Sequence, residues 1–265
     1  MEQLTRPAGT LAYDDTGGDG PLVVCVPGMG DLRAEYRFVA PALASQGYRV
    51  ITTDVRGHGQ SSVGWPDYSP AAVGSDVVAM IRHLNAGPAV VIGESMAAAS
   101  AVWAAAEAPG DVAGIVLCGP ATRDLKVNAF ARLALGAVGR FPLLWTIFYA
   151  SLYRSRKPAD FSGYRRDLRA NLGEPGRMAA LSGMLTASKR ECTERLPEVR
   201  CPALIVMGTR DPDFPDPAAE AGWLAGQLPD ARVLMVDGAG HYPHAERPDE
   251  VRPALDEFLG RVHRA

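Results

Sequence analysis

The chain alternates between short apolar runs and longer stretches in which apolar residues recur every three or four positions. "TLAYDD" has partial two-residue alternation and reads as an early strand. "LVVCVPG" is a continuous apolar run closed by Pro-Gly, the pattern of a strand covered on both faces. "RFVAPALASQG" reads as a helix stopped by Gly47, and "YRVITTDVRG" as the next strand. "AVGSDVVAMIRHLN" has helical spacing, "AVVIG" is a strand, and "SMAAASAVWAAAEAPG" is a helix ending near Pro109 and Gly110. "VAGIVLCG" is another strand. Strands separated by helices of this size predict an α/β fold, with a mostly parallel central sheet and helices on both faces.

The rhythm breaks after Pro120. "VNAFARLALGAVGRF", "PLLWTIFYASLYR", "YRRDLRANLG" and "GRMAALSGMLTASKREC" are all helix-like, with no long β-branched run among them. The alternation then resumes: "CPALIVMG" is a strand, "PAAEAGWLAGQLP" a helix, "ARVLMVDG" a strand and "PDEVRPALDEFLGRVHR" a closing helix. The expectation is a sheet core over residues 1–123 and 197–265, with a helical insertion over 124–196 between two sheet strands.

Composition narrows the function classes. At 265 residues and 47% hydrophobic, the chain can bury a large core. Lys and Arg number 27 against 30 Asp and Glu, with no long basic block, which argues against a nucleic-acid partner. The most apolar loop-like stretch, "FPLLWTIFYASLY", is too short to span a bilayer and contains a proline. "MEQLTRPAGT" has no apolar stretch of signal-peptide length. Cys25, Cys118, Cys192 and Cys201 lack any C-x-x-C spacing, so no metal site is expected and free thiols fit a reducing cytoplasm. A small-molecule partner is expected, with neither nucleic acid nor membrane, and the oligomeric state stays open.

One junction raises a chemical question. A serine that opens a helix is ordinarily a cap, because its oxygen accepts from orphan backbone N–H groups. In "VVIGESMAAAS" the strand runs into the helix with no loop between, so the chain must turn sharply at Ser95 and lift its hydroxyl above the sheet. Gly93 relieves crowding two residues before it.

Four stretches in order carry a resemblance: "PGMG" after "LVVCV", "DVRGHGQS" after the next strand, "GESMA" at Ser95, and a late "GTRDPDF" followed by "GAGHYPH". In these, and over nearly its full length, the chain resembles the α/β-hydrolase family, as a serine-nucleophile member with a helical cap. The resemblance implies Ser95 as nucleophile, His241 as base and Asp211 as the acid that holds the imidazole in the right tautomer. It also implies an oxyanion hole formed by the amides of Met96 and Met29. Asp124 and Asp213 are rival acids, since some members place the acid after the strand that precedes Asp124. His244 is the rival base, otherwise a support for its loop or a solvent-facing group. Ala97 departs from the family pattern, which has a second glycine there.

Asp54, Arg56 and His58 read as loop organisers without chemistry. Neither a phosphate-loop nor a dinucleotide fingerprint is present, so no cofactor is implied. The expected activity is hydrolysis of a small, largely apolar carboxylic ester or lactone through an acyl-enzyme. Carbon–carbon bond hydrolysis and a slow-turnover ligand sensor with a retained triad are the alternatives. Trp145 and Phe148 are expected in the substrate pocket, with the Met29 and Met96 side chains as soft walls. Of the cations near or in the cap (Arg123, Arg154, Arg156 and Lys157), most are expected to face solvent, leaving at most one charged wall residue.

Overall fold

The computed structural model describes residues 1–124 and 135–264. Eight strands form one sheet: β1 (Glu2–Arg6), β2 (Gly9–Asp15), β3 (Leu22–Val26), β4 (Arg49–Thr53), β5 (Ala89–Glu94), β6 (Val112–Cys118), β7 (Ala203–Gly208) and β8 (Ala231–Val236). Their spatial order is β1-β2-β4-β3-β5-β6-β7-β8. β1 and β2 pair antiparallel and β2 meets β4 antiparallel, while the remaining pairings are parallel. The sheet is thus the mostly parallel one that the alternation predicts. β1 is the element the pattern misses. In "EQLTR" only Leu4 is buried, so there is no apolar run to read, and the strand exists through its ladder to β2.

The central strands are apolar because both faces are covered. Val24 and Val26 of β3 point into one core layer, beneath α2 (Pro70–Leu84) and α3 (Met96–Glu107). Val23 and Cys25 point into the opposite layer, beneath α1 (Val39–Ala44) and the closing helix. α2 starts where the sequence supplies a cap: the Ser69 hydroxyl accepts from the Ala72 amide at 3.1 Å, and Pro70 opens the first turn. A buried ion pair, Arg56 to Asp76 at 2.7 Å, fixes α2 to the loop after β4.

Between β6 and β7 the chain leaves the sheet and builds a helical cap insertion. Of "VNAFARLALGAVGRF", residues 127–134 lie outside the described residues, and 135–138 are helical. Next come α4 (Pro142–Leu152), α5 (Phe161–Leu172), α6 (Arg177–Thr186) and α7 (Arg190–Glu194). Trp145, Tyr149, Tyr153, Phe161, Tyr164 and Leu168 make the cap's own core, which is continuous with Tyr242 and Ala245 of the sheet domain. α7 instead sits on the sheet domain, where Cys192 packs with Ala71 and Ala99. The chain finishes with α8 (Pro217–Gln227), α9 (Pro243–Glu246) and α10 (Pro248–Val262).

The junction of β5 with α3 allows no larger residue at Gly93. A methyl there would lie 2.3 Å from the Ala97 carbonyl oxygen and 2.9 Å from the Ala98 amide nitrogen. The Ala97 methyl is itself fully buried in the core layer beneath α3, so alanine is accommodated where the family pattern has glycine. Gly93→Ala should lower the stability to urea by at least about 2 kcal/mol, the scale of overpacking a rigid site. An unchanged unfolding midpoint would show that strand and helix can separate without cost.

Candidate active site

Ser95 is not a helix cap. Its side chain makes no capping hydrogen bond, and its backbone sits at φ 52° and ψ −116°. Asn85 is the other non-glycine residue at positive φ among those described. Such a conformation costs on the order of 1–3 kcal/mol and persists because its surroundings impose it. Here the Ser95 amide donates to the Cys118 carbonyl at 2.9 Å. Its own carbonyl accepts from Ala98 and Ala121, each at 3.1 Å. The turn is therefore fastened to β6, to the loop beyond it and to the first turn of α3.

The "PGMG" loop closes over this turn. A methyl on Gly28 would meet the Ser95 Cβ at 3.2 Å, so the loop backbone lies directly against the serine. Gly30 lies at φ +66°, and a methyl there would strike the Trp145 indole at 2.4 Å. The Trp145 Nε1 donates to the Gly30 carbonyl at 2.8 Å, so the cap holds this loop from above. From below, the Gly30 amide donates to His58 Nε2 at 3.1 Å, and His58 Nδ1 is 3.1 Å from the Arg56 carbonyl. Asp54 accepts from the amides of Arg33 and Gln60 at 2.8 and 2.9 Å and so ties neighbouring loops together.

His241 and Asp211 are brought together. His241 Nδ1 lies 2.8 Å from Asp211 Oδ2, and both residues are almost wholly buried. Asp211 Oδ1 accepts the Asp213 amide at 3.0 Å, which fixes the carboxylate plane. Gly119, at φ +47°, leaves room for the imidazole, since a methyl would sit 3.2 Å from Nδ1. The cap secures the histidine loop, because the His241 amide donates to the Leu152 carbonyl at 3.0 Å. Glu246, fully buried, accepts from the Gly240, Arg154 and Ser155 amides at 2.8, 2.9 and 2.7 Å.

Burial alone would push the His241 imidazole toward neutrality. The carboxylates of Asp211, Asp213 and Glu94 outweigh it and hold the imidazolium well above its ordinary range. Asp213 Oδ2 is 3.6 Å from Nε2, and Glu94 Oε1 is 3.2 Å from it. Neither Asp213 nor Glu94 stands out in the sequence as a neighbour of that nitrogen. Asp211, Asp213 and His241 form a cluster, among the described residues, whose side-chain nitrogen and oxygen atoms lie within 4.8 Å of one another. Their Nδ1–Oδ2 distance is that of a hydrogen bond between acid and imidazole.

His244 is placed elsewhere. It is buried rather than solvent-facing, stacks on Tyr36, and its Nε2 lies 2.8 Å from Glu35 Oε1. Asp124 is also away from His241. It accepts from the Ser188 hydroxyl at 2.5 Å and the Lys189 amide at 2.9 Å, pinning the returning end of the cap insertion.

Ser95, His241, Met29, Trp145 and Phe148 line a common cavity of about 400 Å³, with Leu135, Leu152 and Leu185 extending its apolar side. Two expectations are corrected here. Met96 does not reach the cavity: its amide follows Ser95, but the helix directs its side chain down into the core layer beneath α3. The wall also holds more than one charged residue, for Arg123, Asp124, Lys189 and Asp213 all line it. The reason is tertiary, since the Ser188–Lys189 segment returns from the cap onto Asp124 in the loop after β6. Arg123 is committed to Glu220 at 3.0 Å and stacks over Trp223. Arg154, Arg156 and Lys157 are not among the lining residues.

A family model described as "alpha/beta hydrolase fold" matches residues 21–248. The chain is 29% identical over 261 residues to BpoC of Mycobacterium tuberculosis, named as a candidate non-heme bromoperoxidase, covering 95% of this chain and 98% of that one. It is 26% identical over 323 residues to epoxide hydrolase A of the same organism, with 97% of each chain covered. Among solved structures, a thermophilic esterase from Thermogutta terrifontis superposes with a TM-score of 0.80 at 27% identity, over 99% of this chain and 100% of the other.

His58 gives this loop arrangement a pH signature. Burial pushes its imidazole down to about 4, so the folded protein holds it neutral, with Nε2 free to accept from Gly30. The folded value lies below the unfolded value of about 6.5. The stabilisation is therefore whole above that pH and is lost as pH falls toward 4. His244, pushed down to about 4 by burial as well, adds to the same window. These two imidazoles should each take stability from the wild type as pH falls from 6.5 to 4, opposite in sign to the buried carboxyls of Glu35 and Glu94, whose raised folded values add stability as they take up protons. His58→Leu should be about 1–3 kcal/mol less stable at pH 7, having orphaned the Gly30 amide, and should lose less over the acid window. An undiminished acid slope in H58L would assign that titration to other groups.

Proposed function

The chain belongs to the alpha/beta hydrolase fold family, and from that premise we propose that it is a serine hydrolase cleaving a small, largely apolar carboxylic ester or lactone through an acyl-enzyme. One observation carries the reading. An uncapped serine in a left-handed, strand-to-helix turn shares a cavity with a histidine whose far nitrogen is bonded to a buried aspartate. A helix-capping or purely structural serine needs none of these features.

In this mechanism Ser95 Oγ attacks the substrate carbonyl as its proton passes to His241 Nε2. Asp211 keeps Nδ1 protonated, and so keeps Nε2 as the accepting atom, and then stabilises the imidazolium. The Met29 and Met96 amides meet the oxyanion, and the loop that carries Met29 is held in place by His58 and Trp145 through Gly30. The Nε2 proton leaves with the alkoxide. Water then gives its proton to Nε2 and attacks the acyl-enzyme, and the carboxylate product departs as Ser95 regains its hydroxyl.

The size and lining of the cavity support a small substrate whose acyl or ring portion sits among Trp145, Phe148, Leu152 and Leu185. The alternative of carbon–carbon hydrolysis calls for free cationic groups converging on an acidic tail. Of the two cations on the wall, Arg123 is already paired with Glu220 and Lys189 stands near the Asp124 and Asp213 carboxylates, so no pair of free cations converges, which favours the ester or lactone reading. The serine at position 95 also separates this chemistry from that of carboxylate-nucleophile members of the fold. The four free cysteines suit the reducing cytoplasm in which we place the enzyme.

A fluorophosphonate probe should label wild-type protein on Ser95 and leave S95A unlabelled; full ester turnover by S95A would retire the assignment. Labelling with negligible turnover across a broad ester panel would favour the sensor alternative. D211N should reduce turnover by roughly 10⁴-fold, the scale of losing a triad acid, while D124N should be mild. Phe148→Ala should change the preference among acyl chain lengths more than the probe-labelling rate, whereas Trp145→Ala, which also frees the Gly30 carbonyl, should lower the labelling rate as well. Equal loss toward every ester in F148A would assign that ring to structure alone.

A further inference from the structure

Glu94 ends the strand that delivers Ser95, and its carboxyl is fully buried. Oε2 lies against the backbone of Gly28, 2.1 Å from where a methyl on that glycine would stand. Oε1 is 3.2 Å from His241 Nε2. Neither oxygen has a hydrogen-bond partner of good geometry among the described residues. A bare buried carboxylate is costly, so the group must hold a proton or share one. His241 Nε2, 3.2 Å from Oε1, can share it.

The surroundings reinforce this. On the His241 side stand Asp211, at Nδ1, and Asp213, at the open edge of Nε2. On the buried side stand Glu35 and Asp31, whose own carboxyls burial pushes up, Glu35 to about 8, and which raise Glu94 as they ionise, with His244 beyond Glu35. The neutral groups Cys118, Tyr36 and Tyr242 complete the shell and sense the same acids. Desolvation, with Glu35, Asp31 and Asp211, pushes the Glu94 carboxyl well above the usual carboxylate range, against the pull of His241.

We propose that Glu94 and His241 share a single proton across the Oε1–Nε2 contact, and that this proton blocks the lone pair with which His241 must accept from Ser95. The proposal rests on His241 being the base, as argued above. The shared proton sits either as carboxylic acid beside imidazole or as carboxylate beside imidazolium; the pair carries no net charge in both forms, and Nε2 is occupied in both. When that one proton is released to solvent, Glu94 is left as carboxylate and His241 as neutral imidazole with Nδ1–H on Asp211. The Nε2 lone pair then faces a carboxylate oxygen that repels it, and the Ser95 hydroxyl is the donor that relieves the contact. During turnover, the Ser95 proton on Nε2 recreates the imidazolium beside the same carboxylate, which stabilises it until the leaving group takes the proton. Glu94 thus sets the acid limb of the reaction and holds it above the pH of an ordinary imidazole.

The test is the pH dependence of fluorophosphonate labelling at Ser95, from pH 5 to 10, in wild type, Glu94→Met and Glu94→Gln. Methionine keeps the bulk and removes the proton site. In E94M the acid limb should move at least one unit lower, a tenfold gain in relative labelling rate at its foot. In E94Q an amide N–H that cannot titrate caps Nε2, and labelling should be slow at every pH. Wild-type-like limbs in both variants would overturn the shared proton. Should neither variant fold, ¹⁵N-histidine NMR of the wild type from pH 5 to 10 decides: a His241 Nε2 that is protonated, or that accepts a hydrogen bond, at low pH and loses that proton or donor in one step supports the proposal, and an Nε2 with neither at any pH overturns it. Absence of Ser95 labelling in the wild type at any pH would contradict the base assignment itself, a different failure from superimposable limbs.

Discussion

The left-handed backbone of Ser95 is the constraint from which the site follows. β5 ends and α3 begins within one residue, and only a positive φ at that residue lets the helix turn back over the sheet. Gly93 must lack a side chain because the Ala97 carbonyl descends onto it. Gly28 must lack one because the next loop is drawn in against Glu94 and Ser95. The Ser95 amide donating to Cys118, and the Ala98 and Ala121 amides donating to the Ser95 carbonyl, oppose the conformational cost and tie β6 and the start of the cap excursion to the same point.

The cap is part of this architecture as well as a lid over it. Trp145 clamps Gly30, Leu152 holds the backbone of His241, and Glu246 gathers amides from both the histidine loop and the chain leaving α4. The apolar wall of the cavity and the placement of the polar groups therefore come from the same helix. The electrostatics around His241 are unusual. One imidazole lies among three carboxyls, with Asp211 at one nitrogen and Glu94 and Asp213 at the other. Burial opposes the charge, the acids favour it, and the acids win.

Much of the fold is legible in the sequence because parallel strands buried on both faces write unbroken apolar runs, as "LVVCV" and "AVVIG" do. β1 is not legible, since a polar edge strand owes its existence to its partner rather than to its own pattern. At the site, Ser95, Asp211 and His241 are legible because each follows a strand end within a short motif. Met96 shows the limit of motif reading: it follows Ser95 directly, but the helical direction sends its side chain into the core rather than the cavity wall. Lys189 meets Asp124 at the cavity wall across a sequence separation of 65 residues, which no local pattern encodes. Glu94 reads as an ordinary polar residue between glycine and serine. Only the closeness of Gly28 and His241 shows that it is buried without a partner.

The central claim is that Ser95 becomes acylated. Its most direct test is mass spectrometry of a rapidly quenched reaction with a p-nitrophenyl ester, followed by peptide mapping. The account predicts a mass increase equal to the acyl group on the peptide bearing Ser95, appearing with the first turnover and decaying as water attacks. Steady ester hydrolysis with no such adduct, or with the acyl group on another residue, would contradict it.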